Sequence, residues 1–245
     1  MKGSARSNIF ITVSLLLFVC SSVNVSAAEV SVEEEWKFGA ELYFWGASIG
    51  GQSADGSDID LDLSDILDSV RFAFMGSAGV SKGRWSLAAD LIYLNAKDGD
   101  TIAPGLNADV ELINWVVTPA VGYNLFQTER GRLDIIGGAR FLYLKADLRI
   151  NALGLRADDS GSNWDAVIGA RGTVDLTEKW YLFGYLDIGT GQSDLTWQGL
   201  GGVGYRFKWF DLVAAYRYLR WNFDDNKAVD NLYLHGPAAG IRFLF

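Results

Sequence analysis

Three groups of residues in this 245-residue chain could do chemistry. The first is a balanced set of ions: Arg71, Arg140, Arg171, Arg206, Arg217 and Arg242 against Glu41, Asp90, Asp134, Asp165, Asp187 and Asp211. Six guanidiniums and six carboxylates can neutralise one another through forked hydrogen bonds, or they can line a path for ions. The second is the stretch 50–69, with Asp55, Asp58, Asp60, Asp62, Asp65 and Asp68. Its alternation at 58, 60 and 62 resembles a calcium loop, but Leu63 stands where that loop needs glycine and Ser69 where it needs glutamate. No metal site is expected there. A helical turn at 64–67, N-capped by Ser64, would tuck Ile66 and Leu67 inward instead. The third is His235, the chain's one histidine. A hydrolase of the serine–histidine–acid kind needs a nucleophile within reach of that ring. No serine lies within four residues of His235, and a single histidine excludes any two-histidine site. No enzyme and no cofactor are expected.

The elements that must position these groups are strands. From Trp164 to Leu176 one parity is uncharged (Trp164, Ala166, Ile168, Ala170, Gly172, Val174, Leu176), and the other carries Asp165, Arg171, Thr173 and Asp175. In a strand the two sets point to opposite faces. The same split recurs at Trp36/Phe38/Leu42/Phe44, at Trp85/Leu87/Leu91/Tyr93, at Leu133/Ile135/Phe141 and at Phe210/Leu212/Tyr216. Ten strands are predicted, at about 36–49, 70–82, 84–96, 109–125, 132–148, 162–176, 179–190, 194–207, 209–223 and 229–245, with eight as the alternative count. The short links fall near 82–83, 128–131, 177–179 and 208; the longer ones fall at 50–69, 97–108, 149–161 and 224–228 and are rich in Asp, Gly, Ser and Asn. Tight turns at one end and long loops at the other are the pattern of a closed antiparallel transmembrane barrel.

A soluble β-sandwich or a soluble barrel would also alternate. Their wet face normally carries Lys, Glu and Thr. Here the polar parity is thin and Gly-rich, and the apolar parity carries Trp and Tyr toward its ends, as interfacial girdles do. The apolar parity is therefore expected to face lipid and the charged one the lumen. If the reverse held, Phe38, Trp164, Ile168 and Leu212 would pack together inside. A barrel of about eight strands is just wide enough for side chains to fill, whereas aqueous porins take 16–18. Ten strands predict a plugged lumen, with Arg bridging Asp and Glu; a narrow pore for ions or small solutes is the alternative.

Composition narrows the field further. The formal charge is −9, against a nucleic-acid partner, which would need a basic face. Hydrophobic residues make up 49% and aromatics 13%, against a disordered chain. Residues 1–28 read as a cleaved signal peptide: Lys2 and Arg6 at the head, an apolar run at 9–19, and small residues before a cut after Ala27 or Ala28. That run is too short for a spanning helix, which needs about 20 residues. Cys20, the one cysteine, would leave with the leader. Residues 29–245 would then form one barrel domain.

The chain ends Gly240-Ile241-Arg242-Phe243-Leu244-Phe245. Gly240, Phe243 and the terminal Phe245 resemble the C-terminal signal of bacterial outer-membrane barrels, which the barrel-assembly machinery reads. Stretches such as Asp90-Leu91-Ile92-Tyr93-Leu94, Val167-Ile168-Gly169-Ala170-Arg171, Gly202-Val203-Gly204-Tyr205-Arg206 and His235-Gly236-Pro237 also resemble the outer membrane beta-barrel domain family of Gram-negative bacteria. That resemblance implies an integral outer-membrane barrel, monomeric and surrounded by bilayer and lipopolysaccharide. It brings no assigned activity and no catalytic residues; the expected role is structural or interactive. A lipid-modifying enzyme using His235 is the remaining alternative.

Overall fold

The computed structural model describes residues 35–245, except 54–55, 57, 62–63, 65–68, 104–105, 151–154 and 224–228. The predicted signal peptide lies outside the described residues, as do four of the six aspartates of the 50–69 stretch (Asp55, Asp62, Asp65 and Asp68) and residues 65–67 of its predicted turn. Those residues form twelve strands: β1 (Trp36–Trp45), β2 (Ser48–Ser53), β3 (Asp58–Leu61), β4 (Val70–Lys82), β5 (Trp85–Ala103), β6 (Leu106–Gln127), β7 (Gly131–Ile150), β8 (Leu155–Asp175), β9 (Trp180–Gly191), β10 (Leu195–Arg206), β11 (Asp211–Asn222) and β12 (Val229–Leu244).

Ten of them, β1 and β4 to β12, close into an antiparallel barrel, because β1 pairs with both β4 and β12. At the closing seam Glu41 faces Arg242 in register, and Phe38 and Phe245 exchange backbone hydrogen bonds of 2.9 and 3.0 Å. The C-terminal segment thus completes the wall. Gly240 lies opposite Tyr43, and a side chain there would collide with the Tyr43 backbone and Cβ, so glycine lets that tyrosine enter the lumen.

The first predicted strand, 36–49, is broken instead. After Trp45 the chain bends at Gly46 and Ala47. Gly46 N–H donates to Pro237 O at 2.9 Å and Trp45 Nε1–H to Gly236 O at 3.2 Å. A Cβ on residue 236 would strike Gly46 O, so this close approach requires Gly236. Beyond the bend β2 resumes pairing with β12, and β3 folds back on β2. Two links predicted as loops, 97–108 and 149–161, are largely strand. β5 and β6 stay in register to Thr101↔Asn107, and β7 and β8 to Ile150↔Leu155. Ladder hydrogen bonds join backbone groups whatever the side chains are, and alternation fades where neither face meets a core.

The two faces settle the orientation. Phe38 (53%), Trp164 (51%), Ile168 (67%) and Leu212 (45%) are exposed on the outside and do not pack inside. Aromatic pairs ring this surface at two levels. Trp85–Tyr123 and Trp180–Tyr205 lie at the turn end, with centroids 4.9 Å apart in each pair. Tyr93–Trp115 (4.4 Å) and Trp197–Tyr218 (4.7 Å) lie toward the other end. On β5, β6 and β10 the two levels are eight residues apart. At about 3.3 Å per residue and a tilt of about 40°, that is roughly 20 Å, close to the apolar band of an outer-membrane barrel.

Candidate functional site in the lumen

The inward parity places ion pairs in the turn half of the lumen and across its middle, and in the loop half an apolar cluster beside buried Asn114, Asn163, Asp165 and Ser193. In the turn half, Arg242 Nε donates to Glu41 Oε2 at 2.7 Å across the seam. Arg242 Nη1 also donates to Tyr181 Oη at 3.2 Å, and that hydroxyl donates to Asp211 Oδ2 at 2.9 Å. Asp134 accepts from Arg132 Nε at 2.7 Å, Arg171 Nε at 3.1 Å and Asn124 Nδ2 at 2.8 Å. Arg171 Nη2 reaches Ser86 Oγ at 2.7 Å. Of these, Glu41, Ser86, Arg132, Asp134, Arg171 and Arg242 border a cavity of about 490 Å³.

A second polar layer crosses the middle of the barrel. Arg217 on β11 donates to Tyr43 Oη on β1 (2.8 Å), Asp90 Oδ2 on β5 (2.9 Å) and Gln198 Oε1 on β10 (2.7 Å). Tyr43 Oη in turn donates to Asp90 Oδ1 at 2.7 Å. Arg140 Nη2 bonds Asp187 Oδ2 directly, with Tyr185 Oη on the same oxygen at 2.6 Å, while Arg140 Nη1 donates to Thr196 Oγ1 at 2.9 Å. Both side chains of the Arg140–Asp187 pair are wholly buried. Several hydrogen bonds per guanidinium are what such burial demands, since an unpaired ion there costs several kcal/mol.

Above this layer the lumen turns apolar. Trp45, Met75, Ile92, Val116, Leu142, Leu219, Trp221, Leu232 and Leu234 form one buried cluster. The Arg217 guanidinium lies 4.8 Å from the Trp45 ring and joins the two zones. Met75 Sδ accepts the Trp45 backbone N–H at 3.2 Å, next to where the β1–β4 ladder ends at Leu42↔Gly76.

The predicted ions therefore meet in part. Glu41–Arg242, Asp90–Arg217, Asp134–Arg171 and Arg140–Asp187 pair across strands. Arg206 pairs with Asp175 at 2.7 Å, outside the predicted set. Asp211 takes the Tyr181 hydroxyl. Asp165 accepts Ser193 N–H, Ser193 Oγ–H and Asn163 Nδ2–H at 2.9, 2.6 and 2.6 Å, which ties down the β9–β10 turn. Arg71 is exposed at the irregularity that shifts register between Val70 and Phe72. His235 is on the outer face, with Nδ1 2.8 Å from Tyr216 Oη and its ring stacked near Tyr218 and Tyr233. No group of three metal-type ligands occurs among the described residues.

The apolar cluster and the tyrosine hydroxyls were not anticipated from sequence. Their signal is there: at 91–94, 141–144 and 218–221 both parities turn largely apolar, as happens when a strand is covered on both faces.

The sequence matches no protein-family model and no curated protein. Among solved structures the chain is similar to the translocator domain of the autotransporter NalP from Neisseria meningitidis, at 14% identity, with 85% of this chain and 88% of that chain covered and a TM-score of 0.48. It is also similar to Ail, the attachment invasion locus protein of Yersinia pestis, in complex with the heparin analogue sucrose octasulfate, at 10% identity, 86% and 99% coverage and a TM-score of 0.40. The Neisserial surface protein NspA is similar at 18% identity, 85% and 96% coverage and a TM-score of 0.35. These likenesses are too distant to carry a role. A closed ten-stranded wall, apolar outside between two aromatic levels and filled within by ion pairs and an apolar cluster, makes this chain an integral β-barrel of the outer-membrane type.

Proposed function

We propose that the chain is a barrel closed by its own side chains, with a structural or interaction role in the envelope. The observation that supports closure is complete burial at two successive levels of the lumen: Arg140 in the polar layer, and Val116, Leu219 and Trp221 in the apolar cluster, are all 0% exposed. Planar-bilayer recording of the purified protein tests it. No discrete openings are expected; steady, size-selective currents would establish the narrow pore instead.

Contact with other molecules falls to the strands beyond the bilayer. β5 pairs with β4 only as far as Ala96, and β8 with β9 only from Asp165 onward. Past those points β5 to β8 project as a four-stranded sheet, and its two outer edges have no strand partner among the described residues. Open edges accept strands from other chains. In this reading the barrel is a monomer in lipopolysaccharide and bilayer, delivered by the assembly machinery through Gly240, Phe243 and Phe245. His235 has no catalytic part in it. Lipid A deacylase and phospholipase assays should give no activity, with His235→Ala indistinguishable from the parent.

A further inference from the structure

The 490 Å³ cavity in the turn half runs from Lys37, Ser81 and Leu244 at the barrel's end to Tyr43, Thr118 and Arg217 inside. Its lining holds five cationic side chains (Lys37, Arg132, Arg171, Arg217, Arg242) and three carboxylates (Glu41, Asp90, Asp134). Glu41 answers Arg242 and Asp90 answers Arg217. Asp134 alone is shared by two guanidiniums, Arg132 and Arg171. One positive charge of that trio is left over. Both guanidinium side chains remain about a third open, at 31% and 32%, while Asp134 is 3% exposed beneath them. Ser86 Oγ, at 2.7 Å from Arg171 Nη2, holds one of them in place. Deeper in the same cavity Thr118 Oγ1 and Arg217 Nε are buried and have no hydrogen-bond partner. A lumen that only neutralised itself would not need the surplus charge.

We propose that this vestibule binds a small oxyanion, a phosphate or carboxylate solute, that enters from the turn end, the periplasmic side in barrels with short turns and long outer loops, and docks between Arg132 and Arg171. Two guanidiniums converging on one point favour forked hydrogen bonds to such groups. Because the barrel wall separates this lumen-facing site from the surrounding lipid, a free solute is the source rather than a lipid headgroup. The proposal is independent of whether the lumen conducts: a vestibule binds whether or not it leads through.

The test uses the full barrel in uncharged detergent micelles at constant ionic strength, titrated with inorganic phosphate and, separately, with succinate. Calorimetry and the arginine side-chain Nε–H resonances are the readouts. Saturable binding that shifts the Arg132 and Arg171 resonances is expected. Arg171→Gln should weaken binding about tenfold, the loss of one charge-assisted contact. Asp134→Asn, which removes the competing carboxylate, should tighten it, whereas a merely structural Arg–Asp–Arg cluster would show no such gain. Lys208→Gln, in the exposed β10–β11 turn and outside the cavity lining, serves as the control and should change nothing. Heat-modifiable gel migration checks that each variant is folded. Absence of saturable binding to either anion, or binding indifferent to both Arg171→Gln and Asp134→Asn, overturns the proposal.

Discussion

The two halves of the lumen solve one packing problem with different chemistry. On the turn side, oppositely charged side chains pair between neighbouring strands and leave a cavity of about 490 Å³ between them. On the loop side, Trp45, Val116, Leu219 and Trp221 fill the same width with hydrocarbon. Ions need specific partners at fixed distances, so that half is held by a few directional bonds. Apolar side chains need only volume, so that half is held by dispersion and exclusion of water. The midplane layer of Arg140, Asp187, Asp90 and Arg217 is the boundary. There Arg140, Asp187 and Arg217 are as deeply buried as the hydrocarbon above them, Asp90 stays about a quarter open, and each ion accepts or donates at least two bonds.

That contrast predicts different responses to substitution. The largest loss is expected from Arg140→Met, which strands Asp187 in a buried site. It should cost about 3–5 kcal/mol in urea unfolding of the refolded barrel. The double variant Arg140→Met with Asp187→Leu should regain most of that stability, because no lone ion remains. Equal losses in single and double variants would mean that the pair is not the support described. Leu219→Ala in the apolar half comes next, at about 3 kcal/mol. No second substitution elsewhere should restore it, since the missing quantity is volume. On the outer surface, Ile168→Arg should cost about 2 kcal/mol or more in lipid vesicles, for a cation placed among acyl chains. A negligible cost would contradict the outward orientation on which the contrast rests.

What the sequence discloses follows the same division. Wherever a strand has lipid on one side and ions on the other, parity alone assigns both faces, and Phe38, Trp164, Ile168 and Leu212 fall on the expected side. The ion partners are less legible. Arg206 meets Asp175 and Asp165 holds a turn, because pairing depends on the stagger between strands, which composition does not reveal. The apolar half is hidden for a plainer reason. A strand greasy on both faces loses its alternation, so Ile92, Leu142 and Leu219 merge with their lipid-facing neighbours. The extended hairpins of β5–β6 and β7–β8 were unreadable because their polar residues look like loop while their backbones pair. The bend at Gly46 comes from a contact with Gly236 that is 190 residues away in sequence.

The smallest predicted effect sharpens the contrast most. Trp221 is wholly buried, yet its Nε1–H has no acceptor among the described residues. A buried donor without a partner costs about 1–3 kcal/mol. Replacing the indole with a phenyl ring removes that penalty and also removes some packing volume, two changes of opposite sign. Trp221→Phe should therefore lie within about 1 kcal/mol of the parent in urea unfolding, far from the about 3 kcal/mol or more expected of Trp221→Ala. If the apolar half is held by volume, the phenyl ring keeps the barrel closed to ions in bilayer recordings while alanine admits leak. A loss for Trp221→Phe as large as for alanine would instead mean that the indole N–H makes a bond the stability depends on. The loop half would then be held, like the turn half, by directional chemistry.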